Sequence, residues 1–157
     1  MVRAFAVIIL GLLLSAEGVK GATGKVSKVL PQFLDLQGRN ALSPSLFDRD
    51  AYQVILRDHP EKRSGIIYNI DFKAKGPVTG ELKLILELRG IAPGKDPLPQ
   101  RMVVHQRVKP THWFGRWAEI KITGEDFVNM GEINAWRVSL WDGDNLLSEQ
   151  KSFLWID

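Results

Sequence analysis

Residues 66–73 read Ile66-Ile67-Tyr68-Asn69-Ile70-Asp71-Phe72-Lys73, and residues 81–89 read Glu81-Leu82-Lys83-Leu84-Ile85-Leu86-Glu87-Leu88-Arg89. In the first run Ile66, Tyr68, Ile70 and Phe72 alternate with Asn69, Asp71 and Lys73. In the second, Leu82, Leu84, Leu86 and Leu88 alternate with Glu81, Lys83, Glu87 and Arg89. Successive side chains of a strand leave on opposite faces, so a period of two marks a strand with one buried and one wet face. Gly76-Pro77 breaks the pattern between the two runs, and the pair reads as a β-hairpin joined by a short turn.

The same period continues toward the C-terminus. After a Pro- and Gly-rich loop, Ala92 to Pro99, a weaker strand runs from Met102 to Val108. Trp117 to Ile122 turns Ala118, Ile120 and Ile122 inward. Gly124 to Gly131 reads as a loop with one helical turn. Ile133 to Trp141 is a strand with Trp136, Val138 and Leu140 on its core face, and Asp142-Gly143-Asp144-Asn145 is a hairpin turn. The return strand, Leu146 to Trp155, carries Ser148-Glu149-Gln150-Lys151-Ser152. It has no continuous apolar row, which places it at a sheet edge where charge discourages stray pairing. Leu146, Leu147, Phe153 and Trp155 are expected to pin its ends to the core.

Toward the N-terminus, Lys25 to Leu36 supplies a first strand, and Pro31 within it suits an edge or a bulge. Ser43-Pro44 reads as an N-cap followed by proline at the first helical position. Phe47, Ala51, Val54 and Ile55 recur at helical spacing and Pro60 closes the segment, which predicts a helix over about 45–57. A strand over Tyr52, Val54 and Leu56 is the rival reading. Together these signals predict a mainly β chain, an antiparallel sandwich of about seven strands with one helix inserted after the first. In strand pattern, residues from about Lys25 to Trp155 resemble an immunoglobulin-like or fibronectin type III-like domain. The Cys…Trp…Cys spacing of immunoglobulin domains is absent, and no tyrosine stands where a tyrosine corner would lie.

Residues 1–18 have a different character. Met1-Val2-Arg3 is a short positive start, Ala4 to Leu14 is an uncharged apolar run, and Ser15-Ala16-Glu17-Gly18 offers small residues for cleavage after Gly18. This is the layout of a secretory signal peptide, and the run is shorter than the ~20 apolar residues of a spanning helix. An uncleaved anchor or a buried N-terminal helix is the competing reading. The expected organisation is therefore a signal peptide over 1–18, a short flexible stretch over 19–24, and one sandwich domain over 25–157. It places the mature chain in a periplasm or outside the cell, with no stable membrane span after cleavage. No cysteine occurs anywhere in the chain. An exported domain of this kind must be held without disulfides, by its apolar core.

The chemistry-bearing residues are sparse. His59, His105 and His112 fall in no metal-binding spacing, no Gly-x-Ser-x-Gly occurs, and no glycine-rich phosphate loop opens a helix. Neither an enzyme constellation nor a cofactor site is predicted. Asp142, Asp144 and Asn145 have oxygen ligands for calcium, but a tight turn accounts for them fully. The formal charge of +3 is unchanged by loss of Arg3 and Glu17, and falls short of a nucleic-acid-binding signature.

The tryptophans are more informative. Alternation puts Trp136 in the core and turns Trp117 and Trp141 outward, beside Glu119 and Lys121 in one strand and Arg137 and Ser139 in the other. Trp113 lies in a basic stretch with Arg101, His105, Arg107, Lys109, His112 and Arg116. Outward aromatics stack on sugar rings or anchor protein contacts. Alternatively, the helix or loops cover them. The sequence therefore predicts an exported, non-enzymatic module that binds an unidentified protein partner, or else a glycan. The candidate surface is Trp113, Trp117, Trp141, Arg101, His105, Arg107, Lys109 and Arg116, and no nucleic-acid partner is expected.

Overall fold

The computed structural model describes residues 21–156 except Pro93, Lys95, Asp96, His112 and Trp113. The expected signal peptide lies outside the described residues. In chain order the elements are β1 (Thr23–Asp35), α1 (Leu46–Asp58), a 3₁₀ turn (Pro60–Lys62), β2 (Arg63–Lys75), β3 (Leu82–Ile91), β4 (Pro99–Arg107), β5 (Arg116–Thr123), α2 (Gly124–Met130), β6 (Glu132–Asp142) and β7 (Asn145–Lys151). The strands form two antiparallel sheets, with orders β1-β2-β5 and β4-β3-β6-β7. Each sheet turns one apolar face to the other, which gives a mainly β sandwich. Tyr68, Ile70 and Phe72 of β2, Ile120 of β5, Leu84 and Leu86 of β3, and Val138 and Leu140 of β6 belong to one core cluster. No helix among the described residues is long and apolar enough to cross a membrane.

The expected hairpin of residues 66–89 does not form. β2 pairs with β1 and β5, while β3 pairs with β4 and β6. Alternation identifies the wet face of each strand but not its hydrogen-bonding neighbour, so two strands facing each other across a core look like two lying side by side. The connection, residues 76–81, carries the chain from one sheet to the other. The Asp142 carboxylate anchors it, accepting from Thr79 N–H (2.9 Å), Thr79 Oγ1 (3.1 Å) and Gly80 N–H (2.6 Å). The backbone N–H groups of Thr79 and Gly80 hold this carboxyl below its ordinary pKa. Asp142 is thus a loop anchor. The neighbouring Gly143, at φ +58°, supplies the left-handed position that the β6–β7 turn requires.

β1 and β7 are the two sheet edges on one side of the sandwich. They close on each other at one end, where the Val26 N–H donates to Ser148 Oγ at 3.0 Å. Gly24 allows that approach: a Cβ there would lie 2.8 Å from both Leu140 Cδ2 and Leu147 Cβ. Pro31 stands on β1 opposite Tyr68 without interrupting the strand, as an edge permits. Of the four expected pins, Leu147 packs on the core and Trp155 is buried, whereas Leu146 and Phe153 are exposed. The polar strand ends at Lys151, so Phe153 lies beyond the sheet. Leu146 falls at a β-bulge opposite Trp141, on the outer face.

Helix α1 forms where predicted, with one correction to its cap. Its N-cap is Ser45, whose hydroxyl accepts from the Asp48 N–H, while the Ser43 hydroxyl, before the helix, accepts from the Ser45 N–H. The helical spacing left its facing open. The apolar stripe Phe47, Ala51, Val54 and Ile55 points to solvent, with Phe47 82% exposed. The helix docks instead through Leu56, Gln53 and Tyr52. The Gln53 amide behaves as a short piece of strand: Oε1 accepts from the Phe33 N–H (2.7 Å) and Nε2 donates to the Phe33 carbonyl (3.0 Å). It donates also to the Asn40 carbonyl. The edge of β1 offers unpaired backbone groups, and satisfying them outweighs burying the helix's own apolar row.

Asp35 completes the attachment. Its carboxylate accepts from the N–H groups of Gln37 and Arg39, from Arg39 Nε and from Tyr52 Oη at 2.7 Å. Burial alone would raise its pKa, but these donors outweigh burial and hold it at about 2. At the other end of α1, the Arg63 guanidinium donates to the carbonyls of Leu56 and Arg57. It thereby satisfies groups that a helix C-terminus leaves open.

Candidate functional site

The sequence-derived surface divides in the structure. Arg107, Lys109, Arg116 and Trp117 come together around a cleft of about 450 Å³, with Phe72, Gln106 and Glu119. They reach it from the end of β4, the following loop and the start of β5. Thr111 fixes that loop: its hydroxyl accepts from the Ala74 N–H (2.9 Å) and donates to the Ala74 carbonyl (3.0 Å). Trp117 is 52% exposed, and stands opposite Asp71 on the outer face of its sheet. Arg107 pairs with Glu81, so its charge is already partly engaged. The corner therefore offers an aromatic face beside two further exposed cations, Lys109 and Arg116. Trp113 and His112 lie outside the described residues.

The other candidates occupy the outer face of the four-stranded sheet. Arg101 is the cross-strand neighbour of Arg89, and His105 that of Ile85. Trp141 lies opposite Lys83, and its indole N–H donates to Ser139 Oγ at 2.8 Å. A separate cluster holds Trp155, over which the guanidiniums of Arg89 and Arg137 stand 3.9 and 4.9 Å from a ring centroid. Arg137 also grips Glu87, at 2.6 and 3.0 Å. These contacts stabilise the C-terminal segment by stacking and ion pairing. Among the described residues no three His, Asp or Glu side chains group to hold a metal.

A larger cavity was not indicated by the sequence. It opens where β7 has ended and the seam between β1 and β6 widens, and α1 forms its third wall. Its volume is about 640 Å³, within the range of small-molecule sites. Leu30, Phe33, Ile66, Val54, Ile133 and Trp136 give it apolar walls. Tyr68 reaches it from the inner face of β2, and Arg49, Asp50 and Arg57 stand on the helix side. Tyr68 is 1% exposed, burial drives its pKa upward, and no described group hydrogen-bonds its hydroxyl. Alternation assigns Tyr68 to the core row, and that is where its ring is. The hydroxyl, the one feature a phenylalanine would lack, was the only available signal for the cavity.

The α1 stripe forms a third surface. With Phe47, Val54 and Ile55, the exposed residues Leu36, Leu42 and Leu46 leave large apolar side chains on the helix and the loop before it. Neither Trp117 nor Trp141 packs beneath this helix, whose main sheet contact is β1. Comparison of the chain with protein-family models, with curated proteins and with solved structures finds no match.

Proposed function

We propose that this chain is an exported β-sandwich module that acts by binding a protein partner rather than by catalysis. The observation that carries the reading is the outward apolar stripe of α1. A helix in a sandwich ordinarily buries such a stripe against the sheet. Here polar hydrogen bonds hold the helix and leave Phe47, Val54 and Ile55 at the surface. Exposed apolar patches of this kind mark protein contacts in soluble proteins. The apolar N-terminal run with its small-residue cleavage region supports export. Strand order supports the fibronectin type III-like form of the sandwich. The fourth strand pairs with the third rather than joining the fifth, unlike the constant-type immunoglobulin arrangement.

A glycan-binding role for the β4–β5 corner is the second reading, favoured by the convergence of Trp117 with Lys109 and Arg116 on one cleft. One experiment separates the two. The chain is used to capture partners from its own envelope or secretome, alongside the double variant Phe47→Ser/Ile55→Ser and the single variant Trp117→Ala. A defined protein species retained by wild type and by Trp117→Ala, but lost with the double variant, supports the α1 reading. Capture abolished by soluble polysaccharide and by Trp117→Ala supports the corner instead. Equal capture by all three proteins rejects both.

A further inference from the structure

We propose that the seam cavity between β1, β6 and α1 is a binding site for a small amphiphilic anion. Such a ligand has an apolar body, a hydrogen-bonding atom at its inner end and an acidic group at its outer end. The inference is separable from the partner-binding face, because the two share only Val54 and neither Phe47 nor Ile55 lines the cavity. Three observations define the ligand from the inside outward.

The inner end is set by Tyr68. Its ring belongs to the core row, opposite Pro31 on one side and Ile120 on the other. Its hydroxyl has no partner among the described residues, although it belongs to one of the most deeply buried side chains in the chain. The hydroxyl is not sealed inside the core, unlike Arg89 Nε and Gln150 Oε1. Tyr68 lines the cavity, where a ligand oxygen or nitrogen would take the place of water on it. Of the other polar groups nearby, the exposed Asn134 amide stands at the rim, while Gln53 and Ser152 are already engaged. Both ends of the Gln53 amide are committed to backbone groups, and Ser152 Oγ accepts from the Trp136 N–H.

The body is set by the walls. Leu30, Phe33, Ile133 and Trp136 come from two different sheets, so an apolar ligand would bridge the seam where β1 and β7 no longer touch. The outer end is set by charge. Arg49 pairs with Asp50 at 3.3 Å and is thereby neutralised on the rim. Arg57 is exposed, lines the cavity and has no ion pair among the described residues. One uncompensated guanidinium at the mouth of an apolar groove selects an anionic end group.

The test uses two ligands with the same apolar body and the same phenol end. 4′-Hydroxybiphenyl-4-carboxylate carries an acidic group at the opposite end, and 4-hydroxybiphenyl does not. The purified chain is titrated with each by calorimetry, alongside Tyr68→Phe, Arg57→Gln and the double variant Phe47→Ser/Ile55→Ser. The expected result is saturable one-site binding of both probes, tighter for the carboxylate. Arg57→Gln should weaken the carboxylate about tenfold and leave the neutral probe within twofold. Tyr68→Phe should weaken both several-fold while thermal unfolding shows the variant still folded. The double variant should bind like wild type. Absence of saturable binding, equal effects of Arg57→Gln on both probes, or no effect of Tyr68→Phe would each overturn the proposal. Loss of binding in the double variant would overturn it too, since the probes would then report the outer face of α1. Because that variant also serves as the partner-capture control, failure of either proposal leaves a distinct signature.

Discussion

Between β2 and β3 the inner faces meet through Tyr68, Ile70, Phe72, Leu84 and Leu86, all fully buried, and no polar contact is needed to align them. Between α1 and β1 the contact runs through one glutamine amide, one tyrosine hydroxyl on Asp35, and Leu56. The first junction is strong because apolar area leaves water, and it tolerates exchange of one apolar side chain for another of similar volume. The second is directional: each group meets named partners at fixed distances. The sandwich should therefore unfold as a whole, whereas the helix can come away locally at a smaller cost. The chain uses packing where it needs permanence, and hydrogen bonds where it holds a surface in place.

The most severe break of this contrast is in the core. Phe72→Ala should lower global stability by about 3–5 kcal/mol, because the cavity left by a fully buried ring collapses only partly. Denaturant unfolding followed by fluorescence and by circular dichroism should shift together. If the two probes separate, the sheets are not a single cooperative unit and the comparison fails at its first side.

Gln53→Ala attacks the other side. It orphans the Phe33 N–H and carbonyl at an otherwise covered edge, at a cost of roughly 2–3 kcal/mol. Hydrogen exchange should accelerate over α1 and β1 well before the amides of β2, β3 and β6 respond. Uniform acceleration throughout the chain would mean that the helix is integral to the sandwich.

The two junctions also differed in how legible they were. The period of two in β2 and β3 identified the buried face of each, because apolar burial leaves a mark at every second residue. It could not identify neighbours: Ile70 meets Val29 and Ala118 across its own sheet rather than a residue of β3. Hydrogen-bonded attachment leaves no such mark. Gln53 and Tyr52 look like ordinary members of a helix, and only Asp35 and the Phe33 backbone, about 20 residues away, reveal their use. The helical spacing of the stripe Phe47–Ile55 marked an apolar face without saying what would cover it, and unpaired edge backbone took the docking position instead. At the β4–β5 corner, alternation left Trp117 on the wet face. The cleft it shares with Lys109 and Arg116 depends on Thr111 holding Ala74, a link that spans 37 residues and has no sequence pattern.

Acid sharpens the comparison because it acts on only one kind of junction. The folded pKa of Asp35, about 2, lies below the ordinary carboxylate value of 3.8. The unfolded state therefore takes up a proton first as pH falls. The stabilisation is fully present above about pH 4 and fades as pH descends toward the folded value, a loss of roughly 1–2 kcal/mol. Loosening of α1, read by hydrogen exchange or by Tyr52 resonances, should begin between those limits, and Asp35→Asn should remove its pH dependence. An acid transition of α1 that persists in Asp35→Asn would assign it to other carboxylates, of which Asp142, also held low by Thr79 and Gly80, is the first to test.

The smallest effect falls on the stripe itself. Phe47 and Ile55 contact solvent rather than sheet, so Phe47→Ser/Ile55→Ser should change stability by no more than about 0.5 kcal/mol, the range of ordinary surface substitutions. Two large apolar side chains removed from a folded protein at almost no cost would mean that folding does not need them. Their loss should be visible instead as a longer lifetime in solution at high concentration, measured by light scattering, since an apolar patch without its partner promotes association. A destabilisation of 2 kcal/mol or more would place these residues inside a packed contact. It would remove the argument that α1 is attached by its polar face in order to display its apolar one.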